Sequence, residues 1–154
     1  MELINVGEKL AEQDISKVEK ELDVKLPHDY KAFLLQNNGG SPVEDWVFDF
    51  IQILPESGKP FENSSVIREF STLSDLPFFY GNLIGEELIP EKFIPIASDP
   101  FGNEILLCAD ENNCGKIYFA DHEMYDPETD YWLMTELANS FTEFVDKLYL
   151  DKEN

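Results

Sequence analysis

Asp121-His122-Glu123, with Asp126 three residues beyond, is the densest run of potential metal ligands in the chain. Adjacent residues of a strand point to opposite faces, so these three side chains cannot converge on one ion. The other histidine, His28, is remote in sequence and falls in a helical stretch. Cys108 and Cys114 form no C-x-x-C pair, and no histidine pair flanks them at zinc spacing. A cysteine nucleophile needs a depressed pKa and a base. Cys108 lies in the apolar run Leu106-Leu107-Cys108-Ala109, and acids near Cys114 raise a thiol pKa instead of lowering it. With 32 Asp and Glu, some carboxylate pair always falls at glycosidase separation, so pairing carries no information. Asp99-Pro100-Phe101-Gly102-Asn103 lacks the alternating acids and distant Glu of an EF-hand loop. Asn38-Gly39-Gly40 follows a helical pattern, whereas a phosphate loop precedes one. The expectation is no catalytic residue, no metal, no cofactor and no enzyme activity.

Charge narrows the partners. The 32 acids face 11 Lys and Arg, a formal net charge of -21, and Arg68 is the one arginine. Phosphate binding needs a cationic stripe, so direct contact with nucleic acid is excluded, and an anionic membrane is disfavoured on the same ground. A basic protein is the natural counterpart, because opposite fields speed encounter and reject wrong partners. Acidity also serves plain solubility. Two cysteines are too few for a disulfide framework, and none is expected. Met1 to Glu8 shows no basic segment followed by a long apolar run, so no signal peptide is expected. The apolar stretches fall far short of the ~20 residues of a membrane helix. The expected compartment is a reducing cytoplasm.

The elements that must position any site read as follows. Asp14 to Leu22 predicts a helix, with Asp14 as its cap and Ile15, Val18 and Leu22 on one face. Pro27 opens a second helix, with Asp29 near its positive end and Tyr30, Phe33 and Leu34 on one face. Asn37-Asn38-Gly39-Gly40 ends it through a left-handed glycine. Trp46 to Leu54 predicts a strand. Asn63 or Ser64 is expected to cap a short helix through Val66, Ile67 and Phe70, and Ser74 to Pro90 has no single reading. Phe93 to Ala97 predicts an edge strand because of Pro95. Glu104–Ala109 and Lys116–Ala120 predict a hairpin across Asp110 to Gly115. Tyr131-Trp132-Leu133 predicts a short strand after the turn Asp126 to Asp130. Leu137, Phe141, Phe144, Val145 and Leu148 predict the last helix. Helices flanking hairpin-linked strands imply α+β, one domain over residues 1–154, with a single antiparallel sheet flanked by helices.

These landmarks resemble the SUKH superfamily, which includes the fungal cell-wall-assembly regulators. Leu22-Asp23-Val24-Lys25-Leu26-Pro27-His28-Asp29-Tyr30-Lys31-Ala32-Phe33-Leu34 and then Asn38-Gly39-Gly40 match its opening pattern. Ile94 to Asp99, Gly102-Asn103, Gly115 to Glu123 and the closing Leu137 to Phe144 follow in the same order. The resemblance spans about residues 10–150 and is weakest from Pro55 to Pro90. It implies a SUKH-like α+β fold and a core formed by Leu26, Tyr30, Phe33 and Phe144. Bacterial members are mostly immunity proteins that neutralise polymorphic or contact-delivered toxins, often nucleases. The implied function is therefore a cytoplasmic immunity protein against a basic toxin, a nuclease by the charge argument. The alternative is a non-catalytic regulatory module that binds a host protein.

For the docking face the sequence offers a leading candidate, with the poorly matched segment between Pro55 and Pro90 as the fallback. Asp121, Glu123, Asp126, Glu128 and Asp130 gather within ten residues, with Tyr125 and Trp132 beside them. Acids steer a basic partner and an aromatic among them serves as an anchor. The competing reading is a solvated loop with Trp132 turned to the core.

Overall fold

The computed structural model describes residues 1–111 and 115–151. Cys114 and part of the expected loop from Asp110 to Gly115 lie outside the described residues. In chain order the strands are β1 (Leu3–Ile4), β2 (Ser41–Pro42), β3 (Trp46–Ile53), β4 (Pro60–Val66), β5 (Glu69–Phe70), β6 (Phe93–Ser98), β7 (Glu104–Cys108), β8 (Ile117–Tyr125), β9 (Trp132–Ala138) and β10 (Tyr149–Leu150). The helices are α1 (Glu12–Leu22), α2 (His28–Gln36), α3 (Leu76–Gly85) and α4 (Phe141–Lys147), and a 3-10 turn covers Leu73–Asp75. Every pairing is antiparallel. The α+β class holds, and the strands divide into hydrogen-bonded sets ordered β5-β6-β7-β8-β9, β10-β3-β4 and β1-β2, where one sheet was expected.

α1 starts two residues earlier than expected. Ala11 is the cap position, and Asp14, one turn in, reaches back to accept the Ala11 backbone N–H at 2.8 Å. An acid there also meets the positive end of the helix dipole. Asp23 closes the helix in the left-handed conformation, φ 55°. Pro27 stands just before α2, where its missing N–H costs nothing. Asp29 then ties α2 to α4: its Oδ2 accepts from the Thr142 backbone N–H at 2.9 Å and from Thr142 Oγ1 at 3.0 Å.

The glycine pair acts after α2, which ends in extended Asn37. Gly39 has φ +69°, and a Cβ there would sit 2.7 Å from the Phe70 carbonyl oxygen. Only glycine fits both conditions. Asn38 beside it donates from Nδ2 to the Glu8 carbonyl at 2.9 Å and accepts the Leu73 N–H at 2.8 Å. The Asn-Gly-Gly landmark thus joins the N-terminal segment, α2 and β5.

Several expectations are corrected. Asn63 and Ser64 cap no helix; they lie in β4, paired with Phe50 and Asp49 of β3. The alternation in β3 demands a cross-strand partner, and that outweighs a local capping signal. Ser74 to Pro90 contains α3, with Pro77 in its first turn. The strand holding Pro95 is interior, between β5 and β7. Proline is tolerated because β5 pairs only with Ala97 and Ser98, and the register shifts between Pro95 and Ala97. Leu137 belongs to β9, and α4 begins at Phe141 behind its cap Ser140, whose Oγ accepts the Glu143 N–H at 3.1 Å.

The main core lies between the helices and the sheets. Tyr30, Phe141 and Phe144 are buried in it, while Phe33 is partly exposed at its edge. Phe48 and Phe50 of β3 meet Phe119 of β8 with ring centroids 5.9 and 4.4 Å apart. These rings bring the smaller sheet onto the larger one.

Candidate functional site

Two polar chains cross between the sheets beneath the candidate loop. Asp99, 1% exposed, accepts from Ser65 Oγ at 2.8 Å, from the Phe101 and Asn103 backbone N–H groups at 2.9 and 2.8 Å, and from Asn103 Nδ2 at 2.9 Å. The Asn103 amide nitrogen is thereby committed, so its Oδ1 faces His122. It accepts the His122 backbone N–H at 3.0 Å and lies 2.6 Å from Nδ1, which therefore carries the proton. The second chain runs Asn63 Nδ2 to Gln52 Oε1 at 3.0 Å, then Gln52 Nε2 to Asp121 Oδ2 at 2.8 Å. Asp121 Oδ1 also accepts the Glu123 N–H at 3.0 Å. Buried polar groups joined in this way fix a single arrangement, and what they fix is the end of β8.

Of the seven residues proposed for docking, the structure brings five to the surface tip. Glu123 and Tyr125 are exposed near the end of β8, and Glu128 and Asp130 are exposed in the following turn. Asp126 is half-buried and shapes the turn: its Oδ1 accepts the Glu128 N–H at 2.9 Å, and its carbonyl accepts the Asp130 N–H at 2.8 Å. Asp121 does not join them. It is 7% exposed, and both carboxylate oxygens are engaged inside. Trp132 is half-buried, donates its backbone N–H to the Leu88 carbonyl at 2.9 Å, and packs on the small cluster of Ile89, Leu106 and Ala120. It supports the loop from below.

Tertiary structure sets the start of the fallback segment, a loop by its prolines, beside this tip. Leu54, Pro55, Glu56 and Ser57, the turn between β3 and β4, line a groove of about 570 Å³ with Glu123, Met124 and Tyr125. The turn residues alone were a visible signal, but their approach to β8 was not. Among the described residues the ion pairs are Lys31–Glu19, Lys92–Asp23, Lys116–Glu136 and Lys147–Glu143. None engages the tip acids, and the sequence places no Lys or Arg between Lys116 and Lys147.

A second acidic site lies at the β6–β7 end. Arg68, Glu69, Ser71, Asp99 and Glu104 contribute to a cavity of about 160 Å³. Burial pushes the Glu104 carboxyl up to about 8, helped by the negative charges of Asp99 and Glu69. Among the described residues no group of three His, Cys, Asp or Glu is placed to hold a metal ion. No helix among them is long and apolar enough to cross a membrane.

The SMI1 / KNR4 family (SUKH-1) model matches residues 9–147. The chain is similar to the SPbeta prophage-derived uncharacterized protein YokK of Bacillus subtilis (strain 168), 35% identical over 153 residues, covering 92% of this chain and 73% of that protein. It is also similar to the uncharacterized protein YnaB of the same strain, 40% identical over 68 residues, covering 44% of this chain and 38% of that protein. The matched span holds the Pro27 helix start, the Asn38-Gly39-Gly40 junction and the antiparallel β6–β9 sheet, and the chain belongs to the SMI1 / KNR4 family (SUKH-1).

Proposed function

We propose that the chain is an immunity-type protein that binds and neutralises a basic protein toxin, a nuclease, in the cytoplasm. The observation that carries this reading is the surface tip of Glu123, Tyr125, Asp126, Glu128 and Asp130. It presents carboxylates around Tyr125, a residue 54% exposed, in a stretch without a Lys or Arg. A nuclease must present cations to phosphate, and an acidic surface can occupy them. Tyr125 supplies the apolar anchor, and the acids around it supply steering and register. Family membership supports an immunity-type role. No step of this reading uses catalysis, metal or cofactor by the chain itself.

The immunity reading expects a toxin gene beside this chain's gene, and the test is surface plasmon resonance against the inactivated product of that gene. Reversing the exposed Glu123 and Glu128 together to Lys should slow association at least tenfold while the melting temperature holds. Added salt should slow the wild-type association, because exposed charges are screened beyond about 8 Å at physiological ionic strength. An association rate indifferent to both would overturn the tip as the docking site. No measurable binding at all would overturn the immunity reading.

A further inference from the structure

The outer face of the β10-β3-β4 sheet carries a second feature. Along β3, Phe48, Phe50 and Gln52 point inward, while Asp49, Ile51 and Ile53 are exposed. Their cross-strand partners Ser64, Glu62 and Pro60 share the outward face. Ile51 and Ile53 are each 56% exposed, two β-branched side chains adjacent on one face. A half-buried strand ordinarily puts polar residues at such positions. Around them stand carboxylates. Tyr149 of β10 donates its hydroxyl to Asp49 Oδ1 at 2.6 Å, which holds that acid in place, and Glu62 lies opposite Ile51. Between Lys31 and Arg68 the sequence has one cation, Lys59, in the turn beyond this face. Asp49, Ile51 and Glu62 also contribute to an open depression of about 720 Å³.

We propose that this face docks a cationic protein surface, an apolar side chain of the partner resting on Ile51 and Ile53 while its Lys or Arg side chains meet Asp49 and Glu62. The proposal deepens the reading of the chain as a binder of a basic protein and rests on it. Charge selects the occupant. A second copy would bring Asp49 and Glu62 against acids of the same kind, on two chains of net charge -21 each. Nucleic acid and anionic lipid meet the same repulsion. A basic protein gains steering from the rim and apolar burial at the centre, the arrangement that strong interfaces use. The face also runs into the tip already described: Ile53 leads into Leu54, which lines the groove with Glu123 and Tyr125. One partner can span both.

Photo-crosslinking tests this in cells producing the full chain, with benzoylphenylalanine placed at Ile51, at Tyr125 or, as a control, at Lys17 on α1. The expected result is the same basic protein captured from positions 51 and 125 and absent from position 17. That protein, purified and inactivated, is then titrated. Replacing Ile51 and Ile53 together by Ser should weaken binding about 30-fold, mainly through faster dissociation. Asp49→Asn with Glu62→Gln should slow association severalfold and reduce its salt dependence. Both pairs are exposed, so thermal unfolding should stay near wild type. Capture from position 125 alone overturns the sheet face and leaves the toxin-binding reading standing. Position 51 capturing a second copy of the chain or an acidic protein, or unchanged binding in the double-Ser variant, also overturns it. Capture from neither position overturns both.

Discussion

Gln52 Nε2 donates to Asp121 Oδ2 at 2.8 Å, joining residues 69 positions apart and tying the smaller sheet to the larger. Gln52 is fully buried and Asp121 is 7% exposed. Asp121→Ala should leave the Gln52 amide and the Glu123 N–H without their acceptor, at a cost of about 2–3 kcal/mol in urea unfolding. Gln52→Ala leaves a carboxylate with one bond fewer in the interior and should cost a similar amount. A stability loss below about 0.5 kcal/mol in both variants would contradict the structural role assigned to this pair.

Tyr30 offers the opposite sign. Its hydroxyl is buried without a hydrogen-bond partner, and burial drives its pKa far up. Removing an unsatisfied buried polar group recovers its desolvation cost, about 1–3 kcal/mol at most. Tyr30→Phe should therefore keep or raise the melting temperature, and Tyr30→Ala should lower it sharply. Calorimetry of the two variants checks the pair, and a clear loss in Tyr30→Phe would reveal a bonded hydroxyl.

Glu104 sets a pH dependence. Its carboxyl is raised to about 8 by burial and by Asp99 and Glu69, above the ordinary 4.5. The folded state then holds a proton that the unfolded chain releases, so this group's contribution is full below about pH 4.5 and is lost as pH rises through about 8. Urea midpoints taken from pH 5 to 9 should show Glu104→Gln gaining on wild type as pH increases. A difference that stays flat across that range would place Glu104 in a more polar setting.

Gly39→Ala should cost at least about 2 kcal/mol, because a Cβ meets backbone at 2.7 Å and φ is +69°. Gly58→Ala is the comparison: it shares a φ of +69° but meets nothing within 4 Å, so its loss should be the smaller. Equal losses in chemical denaturation would mean that conformation alone, and not the approach to Phe70, requires glycine at position 39.

Phe144→Ala should cost about 3–5 kcal/mol, since the ring is 1% exposed and lies 5.5 Å from that of Phe48. Phe33→Ala should cost less, because Phe33 keeps part of its surface in water at the edge of the same cluster. The ranking is readable from unfolding midpoints of the two variants.

Local chemistry made much of this chain legible in one dimension. The aromatic and β-branched run from Trp46 to Leu54 predicted a strand, Pro27 marked where α2 begins, and the apolar runs around Leu106 and Ile117 predicted a hairpin. The acids gathered from Asp121 to Asp130 pointed to a solvated loop, and all of them but Asp121 reach the tip. The family order of landmarks identified the fold class.

What only the tertiary structure decided concerns partners distant in sequence. Asn63 and Ser64 carry a capping signal that is real in isolation, yet β3 needed a neighbour, and ladder hydrogen bonds over seven residues outweigh one cap. Asp121 and Glu123 look alike in sequence and, two apart, would share a face of a regular strand; one is drawn inside by Gln52 and the other is left in water, where the β8–β9 register shifts between Asp121 and Tyr125. Ile51 and Ile53 read as ordinary strand residues. Their exposure follows from which face of β3 met Phe119, a choice made by packing between the two sheets, and no local pattern encodes it.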